Sequence, residues 1–283
     1  MAQNRERPAV SSELVEKVLS VLYATSALAS LLSMLLMLIV WQHWIWTLDG
    51  CINGDCGCIL YGKSTFSTFM GGDVKLCHYG SFGLVGNLLV SIVLGFYHGY
   101  RSCIPRSLSE PRALATGAAG GTGGTRVPGK RSYENRRSME CEVMVVGPKQ
   151  RAPFKSWMPF CFLAIPLSAL ALIYAAVVTD GYSKTCAQYR RNLVRLVNPI
   201  GQELLVIHNR LNCGAIFDFM DYLHPDPINS RRGDIIDTGL LLQTSIAFAW
   251  INVLVWVTVL CLNGYMGRQR HKLRNESMCC CCC

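Results

Sequence analysis

Four stretches of the chain contain no Asp, Glu, Lys or Arg: residues 18–46, 78–100, 156–179 and 238–267. Each is mostly apolar and supplies the roughly 20 residues that cross about 30 Å of hydrocarbon. Core helices of a water-soluble protein are shorter and rarely charge-free, so the pattern predicts four transmembrane helices. The first stretch is too long for the apolar region of a signal peptide and lacks a small-residue cleavage site, so it is expected to stay as an anchor. Residues 1–17, 47–77, 101–155, 180–237 and 268–283 then lie outside the spans.

Polar side chains inside the spans are few. Asn87 in the second and Gln243 and Asn252 in the fourth are expected to form interhelical hydrogen bonds. Gly83, Gly86 and the pair Gly95 and Gly99 would let a neighbouring helix approach the second span closely. Pro159 and Pro166 would kink the third. Trp41, Trp44 and Trp46 stand where an interfacial aromatic belt belongs.

The segments between differ in character. Residues 47–77 are turn-rich ("DGCINGDCGCILYG") and predict a compact cross-linked loop or small β-hairpin. In 180–237, Leu193, Leu196 and Val197 follow an i, i+3, i+4 pattern, and Leu204, Leu205, Ile207 and Leu211 approximate one. Two short amphipathic helices broken at Pro199 follow from this. Residues 101–155 contain "ATGAAGGTGGTRVPGKR", too poor in large apolar residues to fold. The run Gly120-Gly-Thr-Gly-Gly is no phosphate loop, because no Lys-Ser/Thr pair follows at the Walker spacing.

Charge sets the orientation. Half of the 283 residues are hydrophobic and only 16% are charged, against about 25% in a soluble domain. Segments 1–17, 101–155 and 268–283 carry 18 basic residues, and segments 47–77 and 180–237 carry 9. Basic residues stay in the cytosol, so both termini and the middle segment are expected there. The formal +9 of the chain belongs to that face and suits the anionic lipids of the inner leaflet. Nucleic acid is a poor alternative, since no binding motif accompanies the scattered charges. The chain is expected in the plasma membrane or an endomembrane.

The 15 cysteines divide along the same line. Cys51, Cys56, Cys58, Cys77, Cys186 and Cys213 fall in the two outer segments, and an even number there fits a disulfide set. Six cysteines permit fifteen connectivities. Cys161 and Cys261 lie within spans as small apolar residues. Cys103, Cys141 and the terminal five would face the reducing cytosol. The only N-x-S/T match, at Asn275, faces the cytosol too and should not be glycosylated.

The chain ends "NESMCCCCC", with Arg268, Arg270, Lys272 and Arg274 between the last span and the cysteines. A thiol near the headgroups beside basic residues fits reversible S-palmitoylation. Cys279, Cys280, Cys281, Cys282 and Cys283 are therefore candidate lipidation sites, with Cys103 as a further one. Prenylation would need aliphatic residues within the last four, which are absent. A contiguous thiol run also lacks the spacing of a structured metal site.

Catalysis leaves no signature. No acid or base with a charge lies in any span, and His43, His78 and His98 stand at span boundaries, isolated from one another. His208 and Asp218 have no evident nucleophile. Neither a cofactor nor a metal is expected, and the chain is read as no enzyme. The first outer segment lacks the claudin pattern, the second lacks the tetraspanin Cys-Cys-Gly, and the cysteine distribution differs from that of connexins. The motif Cys58-Ile-Leu-Tyr61, the run Cys77-His-Tyr-Gly before the second span, the paired cysteines after the third, and the Trp-rich stretch from Gln243 to Trp256 resemble the transmembrane protein 179 family. The likeness covers the four spans and both outer segments. It implies a four-span topology and no established activity. Of the fifteen connectivities, a loop-local set joins Cys58 to Cys77 and Cys186 to Cys213. The resemblance supports those two, and leaves Cys51 with Cys56 across a tight turn.

The expected fold is an all-α membrane protein, a four-transmembrane-helix bundle with a small disulfide-linked extracytosolic domain. The expected function is that of a multi-pass membrane scaffold or accessory subunit, acting with a membrane-protein partner or with itself. The alternative is an oligomeric channel or transporter subunit with Asn87, Gln243 and Asn252 lining its path.

Overall fold

The computed structural model describes residues 12–45, 48, 57–65, 69–103, 154–198, 201, 204, 206–207, 210–223 and 236–280. At 12–13, 103, 154–156, 196–197 and 270–280 it describes the backbone alone. Six helices and one hairpin make up the described elements: α1 (Ser12–Trp44), β1 (Cys58–Ser64), β2 (Phe69–Gly72), α2 (Val74–Phe82), α3 (Val85–Cys103), α4 (Phe154–Val197), α5 (Cys213–Leu223) and α6 (Thr238–Cys280). Among the described residues, four helical stretches are long and apolar enough to cross a membrane: Leu14–Trp44, Val74–Ser102, Trp157–Arg195 and Thr238–Gln269. The chain is a multi-pass integral membrane protein built as a four-span helical bundle.

α1 is the central helix. It packs lengthwise against α3 and α6, and α4 packs against α6. α1 buries Glu16, Leu19, Tyr23, Ser26, Ser30, Ser33, Met37, Val40 and Trp44, an alternation of three and four residues that keeps one seam facing its partners. Lipid tails are as apolar as leucine, so helices in a bilayer associate through close packing and hydrogen bonds. The seam meets that demand with serines in its middle third. Gly95 and Gly99 of α3 face Tyr23 and Ser20 of α1, whereas Gly86 faces open space and makes no helix contact.

The buried apolar residues form two clusters. One occupies the tail end of the bundle around Leu19, Tyr23, Trp157, Trp256 and Met266. The other lies at the opposite, hairpin end, around Trp44, Ile59, Leu60, Tyr189, Phe217 and Leu242. There β1 and β2 pair antiparallel and pack against α4.

The elements overrun the charge-free stretches in three places. Span two is interrupted: Asp73 caps α2 by accepting from the Lys75 amide, and the helix stops at Gly83 before α3 resumes at Val85. Gly83 sits so close to its neighbours that a Cβ would come within 2.5 Å of the Tyr79 carbonyl and 3.1 Å of the Tyr174 ring. Span three continues as one helix through Pro159 and Pro166 to Val197. The predicted separate helix around Leu193 is therefore the last part of α4, because nothing breaks the helical pattern before Asn198, whose φ of 45° ends it. Leu193 itself faces inward, 2% exposed. Finally, α6 runs past residue 267 to Cys280. Pro199, Leu205 and His208, most of the basic insert, Cys141, and Cys51, Cys56, Cys281, Cys282 and Cys283 lie outside the described residues.

Candidate functional site

Among the described residues, two disulfides fasten the hairpin end. Cys58 is joined to Cys77 with Cα atoms 5.4 Å apart, which ties β1 to α2. Cys186 is joined to Cys213 at 5.6 Å, which ties the outer part of α4 to α5. Cys161 and Cys261 are free, the first half-buried and the second exposed on the bundle surface.

The hairpin is further seated on α4 by polar contacts. Thr185 donates to the Ile59 carbonyl at 2.8 Å and accepts from the Gly62 amide at 3.2 Å. Tyr61 has a left-handed backbone, φ 58°, within an irregularity of the β1–β2 register. That conformation turns its ring onto α4, where Gly181 leaves room: a Cβ at 181 would stand 2.9 Å from the Tyr61 ring. The hydroxyl donates to the Val177 carbonyl at 3.3 Å, and the Lys184 ammonium lies 5.1 Å from the ring centre while bonding Asp180 at 2.8 Å. Burial pushes the Tyr61 hydroxyl up to about 12, and the nearby Asp180 carboxylate adds to the rise.

One carboxylate organises the junction of α1, α5 and α6. Asp221 accepts from the Thr238 amide at 2.9 Å and from its hydroxyl at 2.6 Å, which caps the first turn of α6. The Trp44 indole donates to that same hydroxyl at 2.8 Å. Burial raises the Asp221 pKa, the two Thr238 bonds oppose the rise, and Asp218 and Asp237 add to it.

Inside the bundle the polar side chains come in layers. Ser33 donates to the Ser245 carbonyl at 3.0 Å and Ser245 to the Ser33 carbonyl at 2.9 Å. Tyr174 lies 3.3 Å from Ser33 and donates to the Gly80 carbonyl, beside the break in span two, at 2.6 Å. One step toward the tail, Ser26 donates to Asn252 Oδ1 at 2.7 Å and lies 2.8 Å from Ser91. Asn87 donates to the Leu167 carbonyl at 3.2 Å and links α3 to α4. Gln243, on the exposed side of α6, donates to the Tyr182 hydroxyl at 2.8 Å. Each of the singled-out amides therefore bonds another helix.

The last layer is different. His98, read from the sequence as a boundary residue, is 2% exposed and stacks on Tyr23 at 5.6 Å. Tyr97, Phe160 and Trp157 complete a ring of aromatic neighbours. Neither imidazole nitrogen has a hydrogen-bond partner among the described residues. Below it the Glu16–Arg101 ion pair, 2.8 Å long, closes the tail end.

Sequence reasoning overlooked Ser26, Ser33, Ser91, Ser245 and Asp221. The signal for the α1 serines was present in their three–four spacing with Tyr23, Met37 and Trp44. Asp221 carries no comparable signal, because its role depends on where α5 docks. Among the described residues no group of three His, Cys, Asp or Glu side chains is placed to hold a metal ion. The arrangement holds helices together. No family model, curated protein or solved structure matches the chain.

Proposed function

We propose that the chain is a membrane scaffold or accessory subunit that presents a preassembled, disulfide-fastened cap on a hydrogen-bonded helical stem. The observation that carries this reading is the use of polar side chains within the spans. Asn87, Gln243 and Asn252 bond across helices of one chain, so they serve cohesion. The cap is tied to the stem at both disulfides and at the junction of Trp44, Thr238 and Asp221. A part held this firmly suits a protein that positions a partner. In this proposal the hairpin end is extracytosolic, the two termini and residues 101–155 are cytosolic, and kinship to the transmembrane protein 179 family rests on the motif likeness alone.

Proximity labelling from the hairpin end in native membranes, followed by co-purification, tests the proposal. A membrane protein recovered in constant ratio with the chain, and lost when Cys186 and Cys213 are both replaced by Ser, is the expected result. The alternative, an oligomeric channel or transporter, predicts selective conductance or flux from the purified chain in planar bilayers. Such activity without any partner would displace the scaffold reading.

A further inference from the structure

Unsatisfied polar atoms are scattered in the hairpin half, at Trp41, Tyr79 and Ser81, and cluster in the tail half of the bundle interior. Six polar atoms there, Tyr23 Oη, His98 Nδ1 and Nε2, Asn252 Nδ2, Trp256 Nε1 and Asn263 Oδ1, have no partner among the described residues. Their residues are between 0% and 2% exposed, so bulk water does not serve them. They are also neighbours. Tyr23 stacks on His98 and meets the edge of Trp256 at 5.9 Å. The Asn263 side chain approaches the Tyr23 hydroxyl without completing a hydrogen bond. Asn252 stands one turn above Trp256 and is held through its oxygen by Ser26.

The chemistry of this set selects its ligand. Trp256 and the Asn252 amide only donate, Asn263 Oδ1 only accepts, and Tyr23 and a neutral imidazole do both. Among the described residues, the Glu16 and Arg101 charges at its tail-side edge pair with each other. An ion would lack a counter-charge, whereas a small neutral molecule that donates and accepts would find both kinds of partner. Buried polar groups of this kind are met by internal water, which takes two to four partners.

We propose that Tyr23, His98, Asn252, Trp256 and Asn263 enclose a cluster of internal water. The site is a dead end: the mutually bonded layers Ser26–Ser91–Asn252 and Ser33–Ser245–Tyr174 bar it from the hairpin half. It goes beyond the scaffold reading and does not depend on it.

Hydroxyl radicals produced by X-ray pulses from water bound in place mark the side chains that touch that water, whatever their exposure. With the full chain in lipid nanodiscs, Tyr23 and Trp256 should label several-fold faster than Tyr174 and Trp44. The latter pair has the same residue types and is equally buried, but its polar atoms are bonded. No excess at Tyr23 and Trp256 would mean a dry interior and overturn the proposal. Equal, rapid labelling of all four would mean a continuous path and overturn the dead end. An Asn263→Leu variant should lower the labelling of Tyr23 and leave that of Tyr174 unchanged; Tyr23 labelling that persists at the native rate would remove Asn263 from the site.

Discussion

At the residue scale, the hairpin end depends on a glycine with no room for a side chain. Gly181 lies where Tyr61 and Leu60 press onto α4, and a methyl group there would stand 2.9 Å from the tyrosine ring and 3.1 Å from the Leu60 Cβ. Both neighbours are fixed, Leu60 by complete burial and Tyr61 by its backbone. Gly181→Ala should therefore destabilise the protein by about 1–3 kcal/mol, as overpacking does, read as a lower midpoint in a denaturant titration. Adding Tyr61→Ala to that variant should recover part of the loss. Asp221 supplies a pH dependence. Its folded pKa is raised above the ordinary 3.8, chiefly by burial. Between those two values the folded state keeps a proton that the unfolded chain has released, so stability falls as pH rises through that window. Below 3.8 the contribution is fully present, and above the raised pKa it has been lost. The Tm of the wild-type protein in detergent should decline across this interval, and an Asp221→Asn variant should lack that share of the decline.

At the element scale, the value of the interior layers is measurable as coupling. Ser26 and Asn252 bond between α1 and α6 at 2.7 Å, and such bonds in bilayers contribute about 0.6–2 kcal/mol. A double-mutant cycle of Ser26→Ala and Asn252→Ala should give a coupling energy in that range, while Ser26→Ala paired with the distant Gln243→Ala should give none. The disulfide between Cys186 and Cys213 closes a separation of 27 residues, worth roughly 3–4 kcal/mol in the chain-entropy account. Its selective removal by paired Ser substitutions should loosen α5 before the spans, seen as faster amide exchange at 213–223. The four spans themselves were legible in the sequence because charge is so costly in hydrocarbon that its absence marks a helix. Their ends were less legible. α4 passes from an apolar stretch into an amphipathic one with no breaker before Asn198, and the interruption at Gly83 lies where Tyr174 approaches from another helix. Contact between distant segments also decides the candidate site. His98 reads as an isolated boundary histidine until α1 and α4 bring Tyr23, Trp157 and Phe160 around it.

At the scale of the whole molecule, the length of α6 bears on how the terminal cysteines meet the membrane. Its 43 residues extend about 64 Å at 1.5 Å per residue, roughly twice the 30 Å hydrocarbon core. Gln269 ends the apolar part, and Cys280 follows eleven residues later in the sequence. On a straight helix along the membrane normal, that thiol would stand roughly 16 Å beyond the apolar part, too far for its acyl chain to bury fully. Acylation at Cys279 to Cys283 therefore requires the end of α6 to bend onto the leaflet. Arg270, Lys272 and Arg274 favour that posture on the proposed cytosolic face, since each basic residue near an anionic surface contributes about 1 kcal/mol. Two acyl chains then hold the tail down more firmly than one. Hydroxylamine-sensitive acyl exchange should label the tail, and replacing all five terminal cysteines with Ser should abolish that label while the four spans keep the protein in the membrane. In sealed vesicles with the cytosolic face outward, protease should cut near Arg131 but spare 180–237. If the tail is acylated, cleavage after Arg274 should be slow in the native chain and fast in the five-serine variant, because acyl chains would add to the hold of the basic residues on the leaflet. Rapid cleavage at Arg274 in both would show a tail that stands away from the bilayer, and full acyl labelling of the five-serine protein would move the lipid to Cys103 or another thiol.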